Sequence, residues 1–196
     1  DRDAGHGVHR AAPPRRRQPK GHAGLRSRTL EGKAEMTWSI IARDIKTGQI
    51  GIAVATRFFA VGARVPHIAP GLGGIATQAL VNPYYGIDGV KLLREGKSPR
   101  EVIDTMIATD AGRESRQLHV MDVKGRIAAH TGRDCIDWCG SIQGDGFSLA
   151  GNMLAGEAVL ADTARAYADN AALPFAERLI VAMKAGEAAG GDMRGK

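Results

Sequence analysis

Thr37 carries the atoms of a nucleophilic catalyst on a single residue, provided that it begins a chain. It follows Met36 in the run Met36-Thr37-Trp38-Ser39-Ile40-Ile41-Ala42-Arg43-Asp44. A start methionine before a small residue is normally trimmed, which leaves a free α-amine beside the threonine hydroxyl. The hydroxyl is then a nucleophile and the amine, titrating near pH ~8, its general base. Such a pair cleaves amide bonds. If Met36 stays joined to what precedes it, the nitrogen is an amide and Thr37 is an ordinary strand residue.

Other side chains are placed to help. Ser39, two residues on, shares a strand face with Thr37 and either orients the amine or the substrate or is a plain strand serine. Thr56-Arg57 closes the return strand of a hairpin, which brings Arg57 to the Thr37 end. Its guanidinium there either clamps a substrate carboxylate or pairs with Asp44. Gln78 alternates with Ala76 and Leu80 and faces a cleft or a polar layer. Acyl transfer also needs donors for the developing oxyanion. Asn82 and Asn152, both at strand ends, are the side-chain candidates, although each also reads as a turn former. The amides of Gly73 and Gly74 are further options. His130 reads as a hydrogen-bonded core histidine. His119, alternating with Leu118 and Val120, is expected to face solvent or a helix layer. The candidate catalytic set is therefore Thr37, Asn82 and Asn152, and the substrate-binding set Ser39, Arg57 and Gln78.

The net charge of +6 suggests phosphate binding until its distribution is followed. Residues 1–35 hold nine Lys/Arg and four Asp/Glu, leaving eighteen and seventeen for residues 36–196. The second segment is nearly neutral and has no basic footprint for nucleic acid. Residues 1–35 are rich in Gly, Pro, Arg and His and poor in large apolar residues, so they are expected to be a disordered basic leader. Three origins fit: a targeting or nucleic-acid arm, a propeptide removed before Thr37, or a mis-set start, which is preferred because hydrophobic patterning switches on at Met36. No signal-peptide core and no run of ~18 apolar residues occurs, so a cytoplasmic location is expected. Cys135 and Cys139 are too few for a disulfide scaffold. With His130 they fall short of the four ligands of a structural zinc site, and no metal is expected. The glycine-rich runs at 71–74 and 144–146 lack the lysine and spacing of a phosphate loop.

The elements that must position these residues alternate in blocks. Residues 37–44 and 50–56 around the turn at 45–49 predict a β-hairpin. Residues 60–74 read as irregular and 74–81 as a strand. A helix is expected over 83–94 and a second to Thr109 from Ser98-Pro99-Arg100-Glu101, a capping box with proline at the first helical position. Residues 116–123 and 126–131 about Lys124-Gly125 form the clearest hairpin. A strand over 146–150 and helices over 157–170 and 174–188 complete the chain. Strands, two helices, strands and two helices exclude the βαβ alternation of a doubly wound sheet and fit an α+β fold of antiparallel sheets covered by helices.

The blocks MTWSIIARD, GIAVATRFFAVGARVP, ATQALVNPYYG, GRIAAHTG, GFSLAGNMLAGE and GGDMRGK, in that order, resemble the domain-of-unknown-function family ten-twenty-eight over residues 36–196. The resemblance implies a place in the N-terminal-nucleophile (Ntn) hydrolase superfamily, a four-layer αββα sandwich and hydrolase ancestry. Two departures stand out. Ser141 and Ile142 follow Trp138-Cys139-Gly140, where family members often carry a histidine. Family chains also continue past GGDMRG with an apolar strand, so this chain is expected to be truncated at its C-terminus. The hairpin is also similar to that of proteasome-type β subunits, but Ala55 stands where they have aspartate, and no lysine occurs between Arg57 and Lys91. The expected activity is that of an Ntn amidohydrolase acting on a small amide or N-acylated amino acid. The alternatives are a non-catalytic binding or assembly module that keeps the fold, or a nucleic-acid binder that depends wholly on the leader. The expected partner of the enzyme is a small-molecule amide, without cofactor, nucleic acid or membrane, and a homo-oligomer is left open.

Overall fold

Strand β2 (Thr37–Arg43) is covered on both faces, and its alternation builds the molecule. Trp38, Ile40 and Ala42 join the core beneath two helices, and Ile41 on the opposite face joins the core between two sheets. A strand buried on both sides needs a second sheet as well as a helix layer. The computed structural model describes residues 9–10 and 37–194.

The first sheet, sheet A, has the order β1-β8-β9-β2-β3, with β1 (His9–Arg10), β3 (Ile50–Ala55), β8 (Gly140–Gly144) and β9 (Phe147–Asn152). The second, sheet B, has the order β4-β5-β6-β7, with β4 (Pro66–Ala69), β5 (Gly73–Ala79), β6 (Arg116–Asp122) and β7 (Ile127–Thr131). Every strand pair is antiparallel. The expectation for residues 1–35 falls, apart from His9 and Arg10, outside the described residues.

Helices α1 (Tyr84–Arg94) and α2 (Pro99–Thr109) cover the outer face of sheet B through Tyr85, Leu93, Val102, Ile103 and Met106. Helices α3 (Ala158–Asp169) and α4 (Phe175–Ala188) cover sheet A through Val159, Leu160, Tyr167 and Leu179. Gly51 lets α4 close on β3, because a Cβ there would lie 2.8 Å from Leu179 Cδ1. The layers thus run helix pair, sheet, sheet, helix pair. The capping box of α2 forms as expected: Glu101 N–H donates to Ser98 Oγ at 3.4 Å, and Ser98 N–H donates to Glu101 Oε2 at 2.7 Å. Ser98 Oγ also donates to Glu101 Oε2 at 2.7 Å, and this bond, with that from the Ser98 amide, holds the Glu101 carboxyl below its ordinary value.

The structure corrects the sequence reading in two stretches. Part of the irregular stretch 60–74 is the edge strand β4, with a short 3-10 turn, Val61–Ala63, before it. Gly140–Gly144 is also a strand; two glycines, a serine and a glutamine gave it no β signature.

Candidate functional site

The space between the sheets is divided. One half is apolar, around Ile41, Val65, Ala76 and Met121. The other half, at the Thr37 end of β2, is filled by Ser39, Gln78, Gln117, His119, Ser148 and Asn152, all buried. Buried polar groups cost stability unless every donor and acceptor finds a partner.

Here they do, in a directed chain. The Gln78 side-chain amide faces three acceptors, Gln117 Oε1 at 2.8 Å, the Ala150 carbonyl at 3.1 Å and the Thr37 carbonyl at 3.4 Å. Its nitrogen must point that way, which leaves Gln78 Oε1 to accept from Ser39 Oγ at 2.6 Å. Ser39 has one hydroxyl proton and has spent it, so in its 3.0 Å contact with His119 Nε2 the ring donates. The ring's proton is thereby assigned to Nε2, and Nδ1 accepts from Ser148 Oγ at 2.9 Å. Complete burial drives the His119 pKa down to about 3, so the ring is neutral at pH 7. Gln117 closes the lattice. Its nitrogen donates to the carbonyls of Gly151 at 2.8 Å and Gly140 at 3.2 Å and to Thr131 Oγ1 at 2.9 Å. Its oxygen accepts from both Gln78 and Asn152 Nδ2, the latter at 2.9 Å.

Thr37 lies at the end of this lattice, 3% exposed, in register with Asn152 across β9. Its carbonyl accepts from Gln78 and from Asn152 Nδ2, each at 3.4 Å. The structure therefore brings together Thr37, Ser39, Gln78 and Asn152. It leaves Asn82 elsewhere: Asn82 Nδ2 donates to Asp110 Oδ2 at 3.4 Å, and its Oδ1 accepts from the Tyr84 amide at the start of α1. Asn82 there belongs to a cluster in which Arg116 Nε donates to Asp110 at 2.9 Å and Tyr85 Oη donates at 2.8 Å. The Arg116 bond, against the cost of burial, holds the Asp110 carboxyl well below the carboxylate range. Gly73 and Gly74 lie at the other end of β5, paired with Asp122 and Met121.

Arg57 stands two residues past the end of β3, where Trp38 pairs with Ala55. It makes no bond to Asp44, which instead holds Thr47 and the Lys46 amide. The exposed Arg57 reaches the C-terminal segment: its Nη1 donates to the Arg194 carbonyl at 2.6 Å and its amide to Asp192 Oδ2 at 3.3 Å. Burial alone would raise the Asp192 carboxyl; the bonds from Arg194 outweigh it and hold the group below its ordinary value. Asp192 and Arg194 thus clasp the chain just past β3.

His119 corrects its expectation. Leu118 and Val120 take the helix-covered face of β6, so Gln117 and His119 project between the sheets, a face that the sequence reading took for solvent or helix. Gln117, Ser148 and Asp192 were missed altogether. Polar residues inside predicted strands, on the face opposite the apolar set, were the available signal for the first two. His130 is half-buried and hydrogen-bonded to the Arg113 carbonyl at 3.0 Å. Cys135 is buried, which pushes its thiol up to about 11, and Cys139 is half-buried; both are free thiols, and Cys139 Sγ donates to the Cys135 carbonyl at 3.6 Å. Among the described residues no group of three His, Cys, Asp or Glu could hold a metal ion, and no helix is long and apolar enough to cross a membrane.

The model of the Family of unknown function (DUF1028) matches residues 37–196. The crystal structure of protein SPO2555 from Silicibacter pomeroyi, described with the same family model, superposes with a TM-score of 0.77 at 36% identity, over 80% of this chain and 69% of that chain. No curated protein matches.

Proposed function

The chain belongs to the DUF1028 family, and from that premise we propose that it is an Ntn amidohydrolase with Thr37 as nucleophile. The observation that carries the reading is the position of Thr37. It is the first residue of the family match and the first of a central strand, and two side-chain amides hold its carbonyl at the end of the inter-sheet lattice. The layer order supports the αββα sandwich of Ntn hydrolases.

The reading requires the Met36–Thr37 bond to be cut and the hydroxyl to be uncovered when it is. Thr37 Oγ1 then attacks the amide carbonyl carbon while its proton passes to the α-amine. The ammonium returns that proton to the departing amine as the C–N bond breaks, leaving an ester on Thr37. Water attacks the ester with the same amine taking and giving the proton, which frees the acid and Thr37. Both hydrogens of Asn152 are spent on the protein, so we assign it to holding Thr37 rather than to the oxyanion. Gln78 and Ser39, wholly buried, support the nucleophile from behind rather than touch substrate. Arg57, exposed and fixed by the clasp, is the group that would take a carboxylate of an N-acylated amino acid.

Intact mass of protein purified from its native source tests the premise, with a chain starting at Thr37 as the expected result. With that chain, an amine–hydroxyl electrophile should label Thr37, and Thr37→Ala should lose at least about 1,000-fold in amide turnover. A native start upstream of Thr37, or unchanged turnover in Thr37→Ala, would refute the proposal. The second reading, a non-catalytic module that keeps the fold, is favoured by one observation: the side-chain amides closest to Thr37 in the lattice are engaged with protein acceptors.

A further inference from the structure

The opposite end of sheet A opens into a cleft of about 1270 Å³. It is bounded by the β2–β3 turn, the β8–β9 turn and the connection between α3 and α4. Ile45, Ile142, Phe147, Ala164, Leu173 and Phe175 give it apolar walls. Its charged lining holds four basic and four acidic side chains, so net charge does not choose the sign of a ligand.

Two orphaned donors choose it. Tyr167 is 1% exposed, lines the cleft, and has a buried hydroxyl with no hydrogen-bond partner. Arg43 also lines the cleft, and its buried Nε likewise has none. The ring of Tyr167 is fixed from both sides. Phe147 packs against it at 5.2 Å between centroids, and the Arg178 guanidinium lies 3.7 Å over it while its Nε donates to the Tyr167 carbonyl at 2.6 Å. Burial raises the Tyr167 pKa and Asp44 adds to the rise. The Arg178 guanidinium, stacked over the ring face with its Nε given to the Tyr167 carbonyl, pulls the other way without reversing it. It makes no hydrogen bond to the hydroxyl, which keeps its proton and remains a donor. A buried donor without a partner costs stability, and a ligand that supplies the acceptor recovers that cost.

We propose that this cleft binds a small amphiphilic carboxylate, its acid group accepting from Tyr167 Oη and lying beside the Arg43 and Arg178 cations, its apolar body against Phe147 and Phe175. Apolar walls with a few buried polar groups are the usual build of a small-molecule site. The site lies at the far end of β2 from Thr37 and does not depend on the reading of Thr37.

Titration of the full chain with decanoate, decylamine and decanol, followed by calorimetry and by backbone amide shifts, tests it. Decanoate should bind tightest and shift residues of the cleft while leaving the Thr37 end unmoved. Tyr167→Phe, which keeps the ring and its packing, should weaken decanoate about tenfold. Ala168→Trp, at an exposed position of the lining, should block it without touching the core. Failure of decanoate to bind, equal binding of decylamine or decanol, shifts confined to other regions, or an unchanged affinity in Tyr167→Phe would each overturn the proposal.

Discussion

At the Thr37 end of sheet A, Gln78, Gln117, Asn152, Ser39 and His119 exchange hydrogen bonds in one directed chain; at the other end the hydroxyl of Tyr167 and the Nε of Arg43 are buried with no partner. Both regions bury polar atoms, and both flank the same strand. They differ in what finishes them. The lattice is completed by the protein itself, which rigidifies it and fixes the backbone of Thr37. The cleft is incomplete in the protein alone. A satisfied network is how a fold holds a reacting group still, and an unsatisfied buried donor beside a cavity is how it awaits a ligand. Substitutions at the two ends should therefore differ in size and even in sign.

The largest effect belongs to Gln117, the node of the lattice. Gln117→Leu keeps the approximate volume but deprives Gln78 and Asn152 of a shared acceptor, and the Gly140 and Gly151 carbonyls of a donor. Each orphan costs about 1–3 kcal/mol, so a loss of about 3–5 kcal/mol in urea unfolding is expected. A loss below about 1 kcal/mol would mean that the lattice is loosely made, and the contrast between the two ends would collapse.

His119 sharpens the comparison through pH. Its folded pKa, about 3, lies below the unfolded value of 6.5 because burial disfavours the charged ring. The sign follows directly. The stabilising contribution is complete above pH 6.5 and is lost progressively as pH falls toward 3, at up to about 1.4 kcal/mol per pH unit. Asp110 and Asp192, both held below their ordinary values, add their own losses only from about pH 4 downward. His119→Leu should cost about 2–4 kcal/mol at pH 7, since Ser39 and Ser148 lose their partner. The gap from the parent should narrow between pH 6.5 and 4.5. A constant gap over that range would show that burial does not hold the ring neutral.

Much of this frame was legible in the sequence. Alternation and turn residues located two of the hairpins, β2–β3 and β6–β7, and cap and stop signals together with apolar spacing, as in Val102, Ile103 and Met106, located α1 to α4. Thr37, Ser39, Gln78 and Asn152 were singled out, and the structure brings them together. Two kinds of fact were hidden. β4 and β8 carry little apolar alternation, being an edge strand and a glycine-bounded strand, so pairing rather than propensity makes them. The partners of the lattice were hidden because facing sheets join residues distant in sequence: Ser39 meets His119 across 80 positions and Asn152 meets Gln117 across 35. Periodicity gives the face of a strand, and only the stacking of sheets says that the face of β6 opposite Leu118 looks onto β9.

The smallest effect is the most discriminating. Tyr167→Phe deletes one buried oxygen and keeps the ring between Phe147 and Arg178. Were the hydroxyl part of a network like that of Gln117, its loss would cost about 1–2 kcal/mol. Because it has no partner, the parent already bears the cost of burying it, and the unfolded chain regains water at that atom. The ligand-free variant should therefore be within about 0.5 kcal/mol of the parent or slightly more stable, measured by the urea midpoint at constant slope. A loss above about 1 kcal/mol would mean that Tyr167 Oη is satisfied in solution, and the two ends of the sheet would no longer be different in kind.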